Sequence, residues 1–207
     1  MHTIAVTGIN TDVGKTVVSA ILVEALSADY WKPIQCGSLE STDTDTVKQL
    51  VSHNKSIFHR EAYRLKNPLS PHHAARLEGL EICPEKIARP ISNNSLVIEG
   101  AGGLMVPLNF KTLMIDLLAS WQCKIILVSK HYLGSINHTM LSIEALKNRK
   151  MSIAGIIFNG LENPDTENVI HKMSGLPILG RLTQETIINQ EKIKEYASSW
   201  KQCLTNL

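Results

Sequence analysis

The chain has 207 residues, of which 43% are hydrophobic and 19% charged, a composition typical of a folded protein rather than a disordered one. A net charge of +2 gives no reason to expect a nucleic-acid or membrane partner, and the apolar runs are far shorter than the roughly 20 residues of a membrane span. The length suits one α/β domain with a full hydrophobic core, which we predict over residues 1–207.

The first predicted elements are a strand at residues 3–7, a loop at 8–16 and a helix at 15–26. The helix is indicated by apolar residues at spacings of three and four. The loop reads G-I-N-T-D-V-G-K-T and fits the phosphate-binding pattern G-x-x-x-x-G-K-[ST] with one residue to spare. Backbone N–H groups and the helix dipole attract a phosphate to such a loop. We therefore expect Lys15 to reach the β- and γ-phosphates of a nucleotide and the Thr16 hydroxyl to ligate magnesium.

Strands and helices then alternate, which predicts a single-domain α/β P-loop fold with a mostly parallel sheet and helices on both faces. The later predicted strands cover residues 30–34, 95–99, 124–129, 153–159 and 177–180. The later predicted helices cover residues 46–52, 72–77, 84–88, 113–121, 135 or 137 to about 148, 166–173 and 190–203. Residues 53–94 are the least readable part, but they contain no linker or repeat, so we do not divide the domain.

Polar residues stand at the ends of several predicted strands, namely Lys32, Glu99 and Asn159. Because ligands bind at the carboxyl ends of the strands in an open α/β sheet, these residues are expected to meet at one edge. Glu99 follows an apolar run and needs a partner there, which a metal beside Thr16 would provide. Alternatively, Lys32 is a solvated strand end and Asn159 an ordinary turn residue.

The cysteines give little sign of a metal or a disulfide. The four of them are widely scattered and include no C-x-x-C pair, so a structural zinc site is not expected. The N-terminal residues show no pattern of a secretory signal. Reduced thiols in a cytoplasmic protein are the simplest interpretation.

Five segments, in order, closely resemble the dethiobiotin synthetase family. They are the first loop, K-P-I-Q-C-G at residues 32–37, Pro68 with S-P-H at 70–72, E-G-A-G-G at 99–103 and L-G-S-I-N-H-T at 133–139. The resemblance extends to about residue 182. It implies an ATP-dependent reaction that joins 7,8-diaminononanoate (7,8-diaminopelargonate) and carbon dioxide into dethiobiotin, with release of ADP and phosphate. A carbamate and a carbamic-phosphoric anhydride are the implied intermediates.

The resemblance also implies a role for individual residues. Lys15 and Lys32 are the implied catalytic residues, and Thr16, Asp45 and Glu99 the implied magnesium ligands. Nucleotide contacts are implied for Asn10, Thr11, Asp12, Val13, Gly14, Lys15, Thr16, Val17, Glu99, Gly102, Asn159, Arg181 and Leu182. Substrate contacts are implied for Lys32, Cys36, Ser70, Gly134, Ile136 and Asn137. In the family the segment around Gly134 comes from the partner subunit, so a homodimer with shared sites is implied.

Three residues depart from the family pattern. Asp12 stands where a glutamate is common, and Cys36 where serine or threonine is common. A thiol is a weaker hydrogen-bond donor than a hydroxyl, and Cys36 is equally well explained as a packing residue. Thr183 replaces a proline of the nucleotide-base loop, which leaves the nucleotide preference open.

Two other functions share the early motifs. Nucleotide-switch ATPases of the partitioning or division-site type commonly carry a second lysine directly after the first glycine of the loop, where this chain has Ile9. An amide ligase of the cobyrinate type carries a separate amidotransferase domain, which we do not expect in 207 residues.

Overall fold

The computed structural model describes residues 2–204, so residue 1 and residues 205–207 of the predicted domain lie outside the described part. The strands are β1 (Thr3–Gly8), β2 (Asp29–Trp31), β3 (Ile34–Cys36), β4 (Phe58–His59), β5 (Tyr63–Leu65), β6 (Leu96–Gly103), β7 (Lys124–Lys130), β8 (Ile153–Asn159) and β9 (Ile178–Leu182). The helices are α1 (Lys15–Leu26), α2 (Asp43–Leu50), α3 (Pro71–Leu77), α4 (Met114–Ser120), α5 (Ser135–Asn148), α6 (Pro164–Ser174) and α7 (Gln190–Leu204).

Within the described residues, seven strands form one sheet in the order β4-β2-β6-β1-β7-β8-β9. Every pairing in it is parallel. Successive residues of β1 point to opposite faces, as strand geometry requires. Ile4 and Val6 pack with α1 and α7, whereas Ala5 packs with α3 and α4. The predicted α/β fold with helices on both faces is confirmed.

The predicted strand at residues 30–34 is wrong in one respect. The chain leaves the main sheet after Trp31 and resumes as β3, which pairs with β5 in a separate two-stranded parallel sheet. Pro33 has no N–H to continue a ladder, and it separates the two strands. Lys32 consequently lies at the carboxyl end of β2, next to the ends of β1 and β6.

Other boundaries differ in smaller ways. The helix predicted at residues 46–52 begins at Asp43, because Thr42 caps it instead of Thr44 or Asp45. The strand predicted at 95–99 continues through the glycines to Gly103, and 84–88 contains only a 3₁₀ turn, Pro84–Lys86. The short strands β4 and β5 were not predicted. No helix in residues 2–204 has the length and apolar character needed to span a bilayer.

Candidate active site

The loop between β1 and α1 is shaped around its lysine. Lys15 is 7% exposed, and its Nζ donates to the backbone oxygen of Asn10 at 3.0 Å. Gly14 has φ 95°, and a Cβ there would lie 2.5 Å from Nδ2 of Asn159, so a side chain is excluded for both reasons. Burial lowers the pKa of Lys15, and the nearby Lys32 adds to this effect although Glu99 opposes it. The loop therefore holds a buried cation that an anion would stabilise.

Two carboxylates and a second lysine meet at the first turn of α1. Oγ1 of Thr16 lies 3.1 Å from Oδ1 of Asp43 and 3.0 Å from Oε1 of Glu99. Nζ of Lys32 forms ion pairs with Asp43 and, at 3.1 Å, with Oε1 of Glu99. Burial acts to lower the pKa of Lys32, but attraction to Glu99 and Asp43 outweighs it and raises that pKa. Lys32 is thus a charged, buried ammonium shared by two carboxylates.

The oxygen atoms of this cluster suit magnesium. Mg²⁺ prefers carboxylate and hydroxyl oxygens, keeps several waters and is usually completed by substrate phosphates. Thr16, Asp43 and Glu99 provide that donor set within about one hydrogen-bond length of each other. Among the described residues, no three His, Cys, Asp or Glu side chains are grouped closely enough to hold a metal by themselves. A metal here would thus depend on Thr16 and on the bound nucleotide.

The prediction that Asp45 belongs to this cluster is wrong. Oδ2 of Asp45 accepts hydrogen bonds from the backbone N–H and the hydroxyl of Thr42, at 2.9 and 2.7 Å, and forms a capping box at the start of α2. These hydrogen bonds from Thr42 lower the pKa of Asp45. Asp43, two residues earlier, faces Lys32 and Thr16 in its place. The T-x-x-D spacing from residue 42 to 45 is the sequence signal that would have separated the two aspartates.

Tyr30 is a second residue that the sequence did not single out. Its hydroxyl donates to Oε2 of Glu99 at 2.9 Å, and the side chain is fully buried. Burial and the charge of Glu99 raise the pKa of Tyr30 well above its ordinary value. The phenol is therefore a proton donor to Glu99 at any physiological pH.

A cavity of about 410 Å³ opens beside the loop. Its lining includes Gly14, Val17, Asn159, Leu182 and Thr183, and Nδ2 of Asn159 donates to the backbone oxygen of Val13 at 2.8 Å. This volume lies within the usual range for small-molecule sites. Four residues predicted to contact nucleotide thus meet at one cavity.

Arg181 behaves differently from the neighbouring Leu182. Its guanidinium pairs with the buried carboxylate of Glu167, which also lies 3.1 Å from Nε2 of His131. The side chain of Arg181 is not among the groups that line the cavity. Its predicted nucleotide contact therefore does not come from the guanidinium in this structure.

The remaining nucleotide contacts predicted from the sequence lie on the loop or beside it. Asn10, Thr11 and Asp12 are exposed, and Val13 is buried. Gly102 is close to the loop, because a Cβ there would lie 3.6 Å from Oγ1 of Thr11. The end of β6 and the phosphate loop thus form one surface.

The predicted substrate residues fall into two groups. Cys36 and Ser70 are on adjacent segments, because Gly37, at φ 74°, packs so closely on Pro68 that a Cβ would lie 2.7 Å from that ring. Burial raises the pKa of the Cys36 thiol to about 11, so it is neutral. Gly134, Ile136 and Asn137 are exposed at the start of α5, where Gly134 is the cap residue.

Comparison with known proteins gives consistent relatives. Residues 2–192 match the family described as an AAA domain. The chain is 52% identical to the ATP-dependent dethiobiotin synthetase BioD of Christiangramia forsetii, over 98% of this chain and 97% of that protein. It is 49% identical to the protein of the same name from Cytophaga hutchinsonii, over 93% of each. The corresponding protein of Chlamydia pneumoniae is 45% identical, over 100% of this chain and 92% of that protein.

Solved structures with a similar fold are more distant. The cell division ATPase MinD of Pyrococcus furiosus aligns with a TM-score of 0.66 at 14% identity, over 100% of this chain and 99% of that one. The septum site-determining protein MinD from Pyrococcus horikoshii, complexed with Mg-ADP, aligns at 0.60 with 15% identity, over 97% and 89%. At such low identity these matches establish the P-loop ATPase fold alone.

Proposed function

We propose, for a chain that belongs to the ATP-dependent dethiobiotin synthetase family, that the cluster around Lys15, Lys32 and Glu99 performs the family reaction. The chain is a ligase that forms dethiobiotin at the expense of ATP. The assignment of roles rests on one observation. Lys32 is held between Asp43 and Glu99 directly beside Thr16 of the phosphate loop, which favours a group-transfer site over a simple nucleotide site.

The chemistry begins with an amine of 7,8-diaminononanoate, which adds to carbon dioxide and loses a proton to give a carbamate. A carbamate oxygen then attacks the γ-phosphorus of ATP, and ADP leaves. The second amine attacks the carbonyl carbon of the mixed anhydride, phosphate leaves with the C–O bonding pair, and loss of a proton completes the cyclic urea. Such phosphoryl transfer depends mainly on positioning and on counter-charge.

The two lysines divide this work. Lys15 lies in the phosphate loop and binds the β- and γ-phosphates. Lys32 faces the carbamate and the γ-phosphate, and its charge draws the two anions together and stabilises the negative charge that spreads over the transferred group. Its raised pKa supports this role, because the ammonium is charged at neutral pH. Neither lysine forms a covalent bond with the substrate.

Thr16, Asp43 and Glu99 would hold magnesium in this proposal. When bound, the ion neutralises charge on the β- and γ-phosphates and fixes their orientation. Its absence from a three-carboxylate cage supports joint binding with ATP, because Thr16 and phosphate oxygens must complete the ligand set. Asp43 replaces Asp45 in the set implied by the sequence.

Asp43→Asn is expected to weaken metal binding in the nucleotide complex by about 10-fold or more, because a charged oxygen ligand is lost. The matched variant Asp45→Asn is expected to lower stability by about 1 kcal/mol through its cap, with unchanged metal affinity. Since its pKa is lowered from 3.8, the contribution of Asp45 is present at neutral pH and is lost as the pH falls below that value. Calorimetric titration and thermal unfolding of both variants measure the difference. Equal metal affinities would restore Asp45 as a candidate ligand.

The cavity beside Gly14 is proposed to receive the nucleotide base. Asn159 supports this placement, because its Nδ2 is engaged with Val13 and its Oδ1 remains as an acceptor for an amino group of a base. Thr183 at the cavity is held by the hydroxyl of Tyr196, which lies 2.6 Å from its Oγ1. Helix α7 thereby supports the loop that would cover the base.

The direct test of the function is a product assay. Purified protein is mixed with 7,8-diaminononanoate, bicarbonate, magnesium and ATP, and dethiobiotin is measured by mass. We expect a product that depends on all four components, with one phosphate released per dethiobiotin. Phosphate release that ignores the diamine would instead support a nucleotide switch.

A homodimer with shared sites is the proposed assembly. Leu133 is fully exposed, and Ile136 and Leu141 are 39% and 57% exposed on α5, beside the segment that would receive substrate. Exposed apolar groups of this kind mark interfaces. We also propose that the protein acts in the cytoplasm, which is supported by four free cysteines among the described residues.

Leu133→Glu is expected to convert the dimer to monomer and to lower turnover by about 10-fold or more, since a buried charge opposes association. Met173→Glu, at a residue that is 67% exposed on α6, serves as the control and should leave both properties unchanged. Sedimentation velocity and the product assay report the two effects. A fully active monomer would contradict the shared site.

A further inference from the structure

Tyr30 is a buried side chain whose single polar group ends on the candidate site. It lies in the middle of β2, is 0% exposed and packs in the core formed with α1. Its ring is 6.2 Å from that of Phe58. A hydroxyl in such surroundings needs a hydrogen-bond partner, and its partner is Oε2 of Glu99 at 2.9 Å.

The strand register explains why the two side chains meet. β2 and β6 are parallel neighbours, with Tyr30 opposite Val97. Glu99 lies two residues farther along β6 and projects from the same face as Val97. The long phenol of Tyr30 spans this distance and reaches the carboxylate from the interior of the protein.

The two oxygens of Glu99 consequently have separate partners. Oε2 accepts from Tyr30, whereas Oε1 lies 3.0 Å from Thr16 and 3.1 Å from Lys32. A glutamate has a freely rotating terminal torsion, so an unanchored carboxylate could turn both oxygens toward the cations. The hydrogen bond from Tyr30 opposes that rotation and leaves one oxygen facing the site.

We propose that Tyr30 is a positioning residue that presents Oε1 of Glu99 as a single oxygen ligand to magnesium. This inference rests on the magnesium site of the proposed function. Mg²⁺ demands near-ideal octahedral geometry, and outer hydrogen bonds that orient its ligands carry a measurable share of metal affinity. Tyr30 therefore acts on the metal through Glu99, without contact with ATP or the diamine.

The test is metal binding without turnover. Binding of Mn²⁺ to the complex with a non-hydrolysable ATP analogue is followed by electron paramagnetic resonance, with no diamine present. Tyr30→Phe, which removes only the hydroxyl, is expected to weaken Mn²⁺ binding by about 10-fold. The control is Tyr63→Phe, since the hydroxyl of Tyr63 accepts from the backbone N–H of Cys83 at 3.1 Å outside the site. That variant should bind Mn²⁺ like the wild type.

A purely structural role for Tyr30 predicts a different result. The melting temperature would then fall in Tyr30→Phe while the Mn²⁺ affinity of the folded protein stayed at the wild-type value, and this result would overturn the proposal. Wild-type protein that binds no Mn²⁺ in the nucleotide complex would instead remove the magnesium site itself. The two failures are therefore distinguishable.

A double-mutant cycle checks that the effect passes through Glu99. In a Glu99→Gln background, adding Tyr30→Phe is expected to change Mn²⁺ affinity by less than about 2-fold, because the oriented ligand is already lost. Strictly additive losses would show that Tyr30 acts by another route and would contradict the proposal. The cycle also remains decisive if Tyr30→Phe alone is poorly folded, because both members of the Glu99→Gln pair can be compared.

Discussion

Lys32→Met is expected to lower kcat by about 100- to 1,000-fold, while ATP still binds to the phosphate loop. Methionine keeps much of the length and apolar volume of the lysine but removes the charge that faces the carbamate and the γ-phosphate. The main loss should therefore be in kcat rather than in the KM for ATP. Lys147→Met is the control, because Nζ of Lys147 donates to the backbone oxygen of Ser174 at 3.0 Å on α6, and its activity should stay within 2-fold of wild type, roughly the error of such comparisons.

The same substitution should destabilise the unliganded protein. Lys32 is the cation between Asp43 and Glu99, and removal of one member of a buried ion pair costs about 3–5 kcal/mol. Because the pKa of Lys32 is raised above 10.5, its stabilising charge is present at neutral pH and is lost only as the pH rises through that higher value. Denaturant unfolding at neutral pH measures this cost. Near wild-type turnover and stability together would refute the central position of Lys32.

Lys15→Met is expected to abolish both nucleotide binding and turnover, with a loss of about 100-fold or more in kcat/KM for ATP. Its effect on stability should have the opposite sign to that of Lys32→Met. Burial lowers the pKa of Lys15 from 10.5, so the charged form is disfavoured by folding at every pH below the lowered value. We therefore expect the unliganded variant to be at least as stable as the wild type.

Thermal unfolding with and without magnesium and ATP separates these effects. ATP should raise the melting temperature of the wild type and of Lys147→Met, but not that of Lys15→Met. A Lys15→Met variant that is still stabilised by ATP would remove the loop lysine from nucleotide binding. The paired methionine variants thus distinguish a cation that the fold stabilises from one that only a ligand stabilises.

Local sequence patterns were sufficient for the phosphate loop. The G-x-x-x-x-G-K-[ST] spacing lies between a strand and a helix, and each of these elements is fixed by its own periodicity. Lys15 and Thr16 consequently appear where they were predicted. Lys32, Glu99 and Asn159 were also placed at the correct edge, because the carboxyl ends of parallel strands share one side of the sheet.

Contacts between distant residues were beyond the sequence patterns. Asp43 and Asp45 both precede a helical segment, and only the capping box with Thr42 decides which carboxylate is free for the site. Tyr30 reads as a strand residue, and its bond to Glu99 depends on the pairing of β2 with β6. The short strands β4 and β5 lie among prolines and have too few residues to show a period of two.

A crystal structure with magnesium, a non-hydrolysable ATP analogue and 7,8-diaminononanoate tests the central claim most directly. The account predicts magnesium on Thr16, Asp43 and Oε1 of Glu99, with Oε2 still bonded to Tyr30. Nζ of Lys32 should lie within hydrogen-bond distance of the γ-phosphate, between it and the reacting amine. A γ-phosphate bound on Lys15 alone, with Lys32 still enclosed by its two carboxylates and the diamine elsewhere, would contradict it.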